Sequence, residues 1–194
     1  MLYPYISQFN WLDVLIIVCS LRMCYIGLKK GLGIELFKLI NLFFCSLVVL
    51  HSYYPLGQFI NNKIPALPLE PAAVFCYAVL LFIITILFRI LREGVFVFIK
   101  IESIGNLNKY AGLFIGFLRG IIISAFIIFG FLISTIHYLE LSSRTSYFGM
   151  QVVKFPIRIY EVTFNGVTSK LFPHQIFNQE VIKILEKENK ESFI

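Results

Sequence analysis

Four long stretches of the chain are almost entirely apolar and are separated by shorter polar segments. A helix that crosses a bilayer core of about 30 Å needs about 20 apolar residues at 1.5 Å each. The third and fourth stretches reach that length. The first two are shorter and contain charges, so they either span a locally thinned membrane or pack as an interior helical hairpin. The four segments cover residues 11–28, 34–50, 72–91 and 110–137.

The pattern predicts an all-α, polytopic membrane protein with four transmembrane helices, because the alternation typical of a membrane barrel is absent. We divide it into a transmembrane domain, residues 1–139, and an extracytoplasmic tail, residues 140–194. Within the tail, Tyr147–Phe164 is expected to be an interfacial segment and Gln175–Lys190 a solvated surface helix.

Two connections have a distinct composition. Residues 52–71 contain four prolines, which predicts an irregular external loop. Residues 92–109 contain the apolar run Val95–Ile99 between charged residues, which is expected either to extend the third helix or to lie in the membrane interface.

Composition supports the membrane class. Hydrophobic residues form 58% of the 194 residues and charged residues only 14%. A soluble fold of this size would lack the polar surface to cover so much apolar area, and a disordered chain would be far less apolar. The net charge of +6 would suggest nucleic acid in a soluble protein, but in a membrane protein it is explained by basic cytoplasmic connections.

The distribution of Lys and Arg predicts the orientation. The last turn of the third segment and the connections after the first and third segments together carry six basic residues, whereas the connection after the second carries only Lys63. Because basic connections stay in the cytoplasm, both termini are expected outside it. Residues 1–21 contain no Lys or Arg, so the first segment is expected to be a retained helix rather than a cleaved signal peptide. The six basic residues are Lys29, Lys30, Arg89, Arg92, Lys100 and Lys109.

The fourth segment carries a strip of small residues. Gly112, Gly116, Gly120 and Ser124 recur every four residues, a spacing that lets another helix backbone approach closely. Arg119 lies only about 20° from Gly112 around the helix, so it points toward the same packed face. Two interpretations remain open: an arginine with a function inside the bundle, or one that snorkels to the cytoplasmic headgroups.

The first segment has a similar face. Ser20, Cys24, Gly27 and Gly31 all fall within about 40° of Asp13 around the helix. Asp13 either lies on a polar path or stabilises the positive N-terminal end of the helix.

Candidate chemistry is otherwise sparse. Glu35 and Lys38 open the second segment three residues apart and can neutralise each other. A metal site shared by His51 and His137 lacks a nearby carboxylate pair, so no metal is expected. Motifs for nucleophilic catalysis, phosphate loops and dinucleotides are absent, so we expect no catalytic residue and no cofactor. The four cysteines are expected to pack as small apolar residues.

Three runs of residues resemble the colicin V production protein family. They are Trp11-Leu-Asp13, the run Lys30–Leu36 with its glycine and Glu35, and Ile104–Gly120, which ends in Gly-x-x-x-Gly-x-x-Arg-Gly. The resemblance covers about residues 10–165. One position departs from the family pattern, because Asn108 stands where an Asp is usual, and the tail after residue 165 matches no pattern.

The resemblance implies a multi-pass protein of the bacterial inner membrane that supports toxin production or export and envelope maintenance. It implies no reaction. One hypothesis is a non-enzymatic scaffold that acts through helix contacts; the alternative is a subunit of a small oligomeric channel or transporter that uses Asp13 and Arg119. Expected partners are the lipid bilayer, further copies of the chain and other envelope or export proteins, without nucleic acid.

Overall fold

A computed structural model describes residues 9–98, 105–168, 170 and 177–191. Over these residues the chain is helical and contains no strand, which confirms the all-α class. A short π-helical turn, Phe164–Thr168, follows the fifth helix. The helices of the described residues are α1 Trp11–Lys63, α2 Leu69–Phe98, α3 Gly105–Leu132, α4 His137–Thr145, α5 Gly149–Thr163 and α6 Glu180–Glu191.

The helices α1, α2 and α3 are long and apolar enough to cross a membrane. Their outer faces carry large exposed apolar side chains such as Phe82, Ile90 and Phe114, which suits contact with lipid. These observations confirm a membrane protein whose long helices can span the bilayer. The count of four crossings stays a prediction.

The first half of α1 runs antiparallel to α3. The Trp11 and Phe131 ring centroids lie 6.1 Å apart near one end of α3. The backbones of Gly27 and Gly112 touch near its other end.

The chain then reverses at Gly31, the one residue of α1 whose backbone is not helical (φ 75°, ψ 174°). After it, Glu35 pairs with Arg119, and the rings of Tyr53 and Phe129 lie 5.7 Å apart. The second half of α1 therefore returns along α3 in the opposite direction. The expected interior hairpin and the expected pair of spanning helices are both compatible with this reversal.

The second half of α1 is longer than the predicted 34–50, because the helix continues through Pro55 to Lys63. Proline removes one helical hydrogen bond, which argues against a helix interior. Packing offsets that loss: Tyr53 and Gly57 are buried, and Gly57 lies against Ala73 at the start of α2. The predicted irregular loop is therefore reduced to residues 64–68.

The other two predicted segments also shift. The segment 72–91 corresponds to α2. Because α2 continues to Phe98, the apolar run that begins at Val95 extends this helix. Residues 99–104 lie outside the described residues. The segment 110–137 corresponds to α3, which ends at Leu132 before a turn.

The interior next to α5 is aromatic. Tyr53, Tyr77 and Phe129 meet edge-on or tilted within 6.1 Å of one another. The Tyr77 hydroxyl donates to the Phe126 carbonyl at 2.7 Å, so its polar end is satisfied inside the apolar core.

The tail packs against the helices that precede it. Val153, Ile157 and Tyr160 of α5 are buried, so Tyr147–Phe164 is part of the core as well as an interfacial candidate. The expected surface helix Gln175–Lys190 differs more. Residues 175 and 176 lie outside the described residues, 177–179 are not helical, and α6 begins at Glu180 with Val181 fully buried. The division at residue 139 stays a prediction.

Candidate functional site

Glycines bring the backbones of the first half of α1 and of α3 into direct contact. A Cβ atom placed on Gly112 would lie 2.5 Å from the Gly27 carbonyl oxygen, and one on Gly116 would lie 2.5 Å from the Met23 carbonyl oxygen. On Gly120 it would lie 2.6 Å from Ser20 Cα. Since backbone fills these spaces, no side chain fits at any of the three α3 positions.

Ser124 continues the glycine spacing but not the contact of bare backbones. Its buried hydroxyl donates to the Gly120 carbonyl at 3.0 Å, within the same helix. Ser20, across the contact, has a buried hydroxyl oxygen with no partner among the described residues. The polar groups of the contact thus remain local to each helix.

Gly31 and Asn108 form the turn at the end of this contact. The positive φ of Gly31 suits glycine, and a Cβ there would lie 2.6 Å from Asn108 Nδ2. The Leu32 N–H, freed where the helix restarts, donates to Asn108 Oδ1 at 2.7 Å. Asn108 therefore caps a helix that belongs to another part of the chain.

One turn beyond, Glu35 is completely buried and holds two cations. Its Oε1 accepts from Lys38 Nζ at 2.5 Å, and its Oε2 accepts from Arg119 Nη1. Arg119 is only 4% exposed and also donates through Nη2 to Met23 Sδ at 2.7 Å. The arginine is enclosed and paired rather than extended to the membrane surface.

This cluster joins three segments electrostatically. Met23 comes from the first half of α1, Glu35 and Lys38 from the second half, and Arg119 from α3. A charge inside a membrane is retained only with a partner, because hydrocarbon offers none. These charges are therefore tolerated inside the bundle because folding brings them together as pairs.

Asp13 occupies a separate site at the opposite end of the bundle. Its carboxylate accepts from Ser146 Oγ at 2.7 Å and from the backbone N–H groups of Phe148 at 2.8 Å, Tyr147 at 3.3 Å and Asn10 at 2.8 Å. Asn10 is the N-cap of α1 and forms a capping box with Asp13. The carboxylate thus holds the α4–α5 connection against the start of α1.

Asp13 and Arg119 are not in one cluster. Ser20, which lies beside Gly120, is seven residues from Asp13, or about 10 Å along the helix. The structure brings Glu35 to Arg119 and Gly27 to Gly112, and it places Asp13 with the tail.

The two histidines also have different neighbours. His51 Nδ1 lies 3.0 Å from the Tyr160 hydroxyl, and its ring stacks on Phe164 at 5.6 Å. His137 instead lines a cavity beside α6. In the described part of the chain no group of three or more His, Cys, Asp or Glu side chains forms a possible metal site.

Sequence reasoning missed several residues of these sites. Met23 looks like an ordinary apolar residue, and Ser146 and Asn178 lie in the tail. Asn178 donates to the Leu50 carbonyl at 2.7 Å, and its backbone N–H donates to the Tyr160 hydroxyl at 3.0 Å. Burial raises the pKa of the Tyr160 hydroxyl, which keeps it a neutral hydrogen-bonding group. No local pattern signals such contacts between distant segments.

Comparison with known families gives one match. The family described as colicin V production protein matches residues 12–150. This range includes the α1–α3 contact, the Glu35–Arg119 pair and Asp13, and it ends just after the connection that Asp13 holds. No curated protein and no solved structure matched the chain.

Proposed function

Since the chain belongs to the colicin V production protein family, we propose that it is a non-enzymatic protein of the bacterial inner membrane. It supports toxin production or export and envelope maintenance by acting as a scaffold for other membrane components. The family is not known as a family of enzymes, which agrees with this role.

The observation that carries the proposal is the use of the buried charges. Glu35 pairs with both Arg119 and Lys38 inside the bundle, while Asp13 accepts hydrogen bonds from four donors of the tail and the cap. These groups hold segments of the chain together. A rigid bundle of this kind suits a protein that offers its surface to partners.

We place the basic connections in the cytoplasm and both termini outside it. Lys29 and Lys30 lie just before the reversal of α1, and Arg89 and Arg92 lie near the end of α2, so the basic residues gather at one end of the bundle. The partners of the scaffold are the bilayer, further copies of the chain, or other envelope and export proteins.

A double variant separates the scaffold from the alternative, a subunit of a channel or transporter. Replacing a buried ion pair by apolar residues of similar size is often tolerated. For a scaffold, Glu35→Leu combined with Arg119→Met should therefore restore the phenotype of a deletion strain as wild type does. A transporter that uses the arginine charge would lose its function.

Flux through liposomes gives the second measurement. The wild-type protein, reconstituted alone, should pass ions and small solutes no faster than protein-free liposomes. Flux above that background, abolished in the Glu35→Leu, Arg119→Met variant, would replace the scaffold by the transporter. A double variant that expresses and folds normally but does not restore the phenotype would also contradict the scaffold.

A further inference from the structure

A cleft of about 500 Å³ opens between α2 and α3. Both helices pack against α1 and contact each other little, so a gap remains between them over part of their length. We call it the basic cleft. Its basic end is lined by Lys30, Lys38, Arg89, Arg92 and Arg119, and its apolar end by residues that include Cys45, Leu81, Thr85, Phe126 and Ile127.

The first end carries a large excess of positive charge. Five basic side chains line it, and within the described residues only two carboxylates, Glu35 and Glu93, pair with any of them. Lys30 is exposed and has no acidic partner within the described residues, and Arg92 reaches Glu93 only at 3.7 Å. This end therefore favours an anion.

Arg119 adds a hydrogen-bonding observation. The residue is 4% exposed and lines the cleft, and its Nε–H has no acceptor within the described residues. A buried donor without an acceptor is costly. An anionic oxygen at this end of the cleft would supply the acceptor.

The other end is apolar and deep enough for an acyl chain. From Arg119 to Ile127, and equally from Arg89 to Leu81, the lining runs eight residues, or about 12 Å along a helix. That length is close to half of a bilayer core of about 30 Å. The cleft therefore extends from the basic end along the membrane-spanning parts of α2 and α3 over about half the thickness of a bilayer core.

We propose that the basic cleft binds one anionic phospholipid, with its phosphate at the basic end and an acyl chain along the apolar end. The charge of the first end and the depth of the second match the two parts of this molecule. The proposal does not depend on the scaffold role, because a lipid site can exist in a scaffold or in a transporter.

The test measures lipid binding to the purified full-length protein in a neutral detergent by native mass spectrometry. Dioleoyl phosphatidylglycerol should bind with a Kd lower by about tenfold or more than dioleoyl phosphatidylcholine, which has the same chains but no net charge. Lys30→Gln with Arg92→Gln should raise the phosphatidylglycerol Kd about 25-fold, at about fivefold for each basic side chain.

A matched control removes the same charge elsewhere. Arg22 and Lys29 lie on α1 close to Lys30 but outside the lining of the cleft. Arg22→Gln with Lys29→Gln should leave the Kd within about twofold of wild type if binding is local. An equal loss in both double variants would overturn the proposal in favour of general surface attraction.

The apolar end is tested by filling it. Thr85 is exposed and lines that end, so Thr85→Trp should weaken phosphatidylglycerol binding while the protein stays folded. Ile86→Trp, at an exposed position outside the lining, should not. Equal effects of the two tryptophans would overturn the proposal.

A soluble competitor distinguishes a lipid from a free phosphate ester. Glycerol 3-phosphate carries the anionic group without the chains and should not displace phosphatidylglycerol at equal concentration. Displacement by glycerol 3-phosphate, or equal binding of phosphatidylcholine, would overturn the assignment to an anionic lipid.

Discussion

Glu35 and Asp13 are both fully buried, yet they stabilise different parts of the molecule. Glu35 binds cations from its own helix and from α3, whereas Asp13 accepts hydrogen bonds from the connection before α5. The first fixes the α1–α3 contact inside the bundle, and the second attaches the tail to the bundle. Losing either carboxylate would leave its donors without acceptors.

Removing one member of the Glu35–Arg119 pair should be more harmful than removing both. Glu35→Leu leaves a buried arginine without its carboxylate, and we expect a loss of about 3–5 kcal/mol in stability. Adding Arg119→Met should recover most of that loss, because the remaining cation, Lys38, has a side chain that is 20% exposed and can extend to water. Thermal unfolding in detergent measures both, and a double variant less stable than Glu35→Leu would contradict the prediction.

Asn108 should matter through its oxygen rather than its amide nitrogen. Asn108→Ala removes the acceptor of the Leu32 N–H and should cost about 0.5–2 kcal/mol. Asn108→Asp, the residue usual in the family pattern, keeps an acceptor and adds a negative charge at a helix N-terminus, so its stability should equal or exceed that of wild type. An Asp variant as unstable as the Ala variant would show that the cap is not what stabilises the turn.

At this scale the sequence predicts faces better than partners. The helical positions of Arg119 and Gly112 show that both face the same side, and Glu35 is recognisable as a charge that needs compensation. Glu35 meets Arg119 only because the chain reverses at Gly31, and helical periodicity does not predict that reversal. The contact of Asp13 with Ser146 joins positions 133 residues apart, and no local pattern encodes it.

At the scale of elements, the glycines decide how close α1 and α3 approach. Their strip was visible in the sequence as a four-residue repeat, because close helix packing in membranes requires small residues at that spacing. The ends of the helices were less predictable. Pro55 indicated a loop, but burial of the surrounding turn keeps the helix intact to Lys63.

Gly116→Leu should prevent the α1–α3 contact. A side chain there would overlap the Met23 backbone and push α1 away from α3. The loss in stability should exceed the value of about 1–3 kcal/mol that is typical of an overpacked core. We expect loss of the monodisperse protein on size-exclusion chromatography.

Gly94 provides the control for that variant. No atom lies within 4 Å of a Cβ placed on Gly94, so Gly94→Ala should leave the protein unchanged or slightly more stable. Normal yield and an unchanged chromatographic profile for Gly116→Leu would refute the role of the glycine contact.

At the scale of the whole molecule, composition predicts the membrane and the basic residues predict an orientation. The packing of the tail was not predictable, since burial of Val153 and Val181 depends on which surface the bundle presents. A short amphipathic stretch looks the same whether it covers a protein surface or lies in water.

Cysteine labelling tests the orientation and the crossing of the second half of α1. In a variant whose native cysteines are replaced by alanine, Ala66→Cys should react with an impermeant maleimide in spheroplasts. Lys29→Cys should react only in inverted vesicles, because the basic connection lies in the cytoplasm. The reverse pattern would contradict the orientation, and labelling of both from one side would contradict the crossing.

The reversal at Gly31 has a consequence for how the chain can vary in length. Each residue turns a helix by about 100°, so one residue inserted between Gly31 and Glu35 would rotate the Glu35 carboxylate away from Arg119. The part of α1 before the turn would keep its contact with the glycines of α3, whereas Glu35, after the turn, would be separated from Arg119. Substitutions at this turn change its strength, whereas an insertion or deletion changes the phase of every later residue of α1.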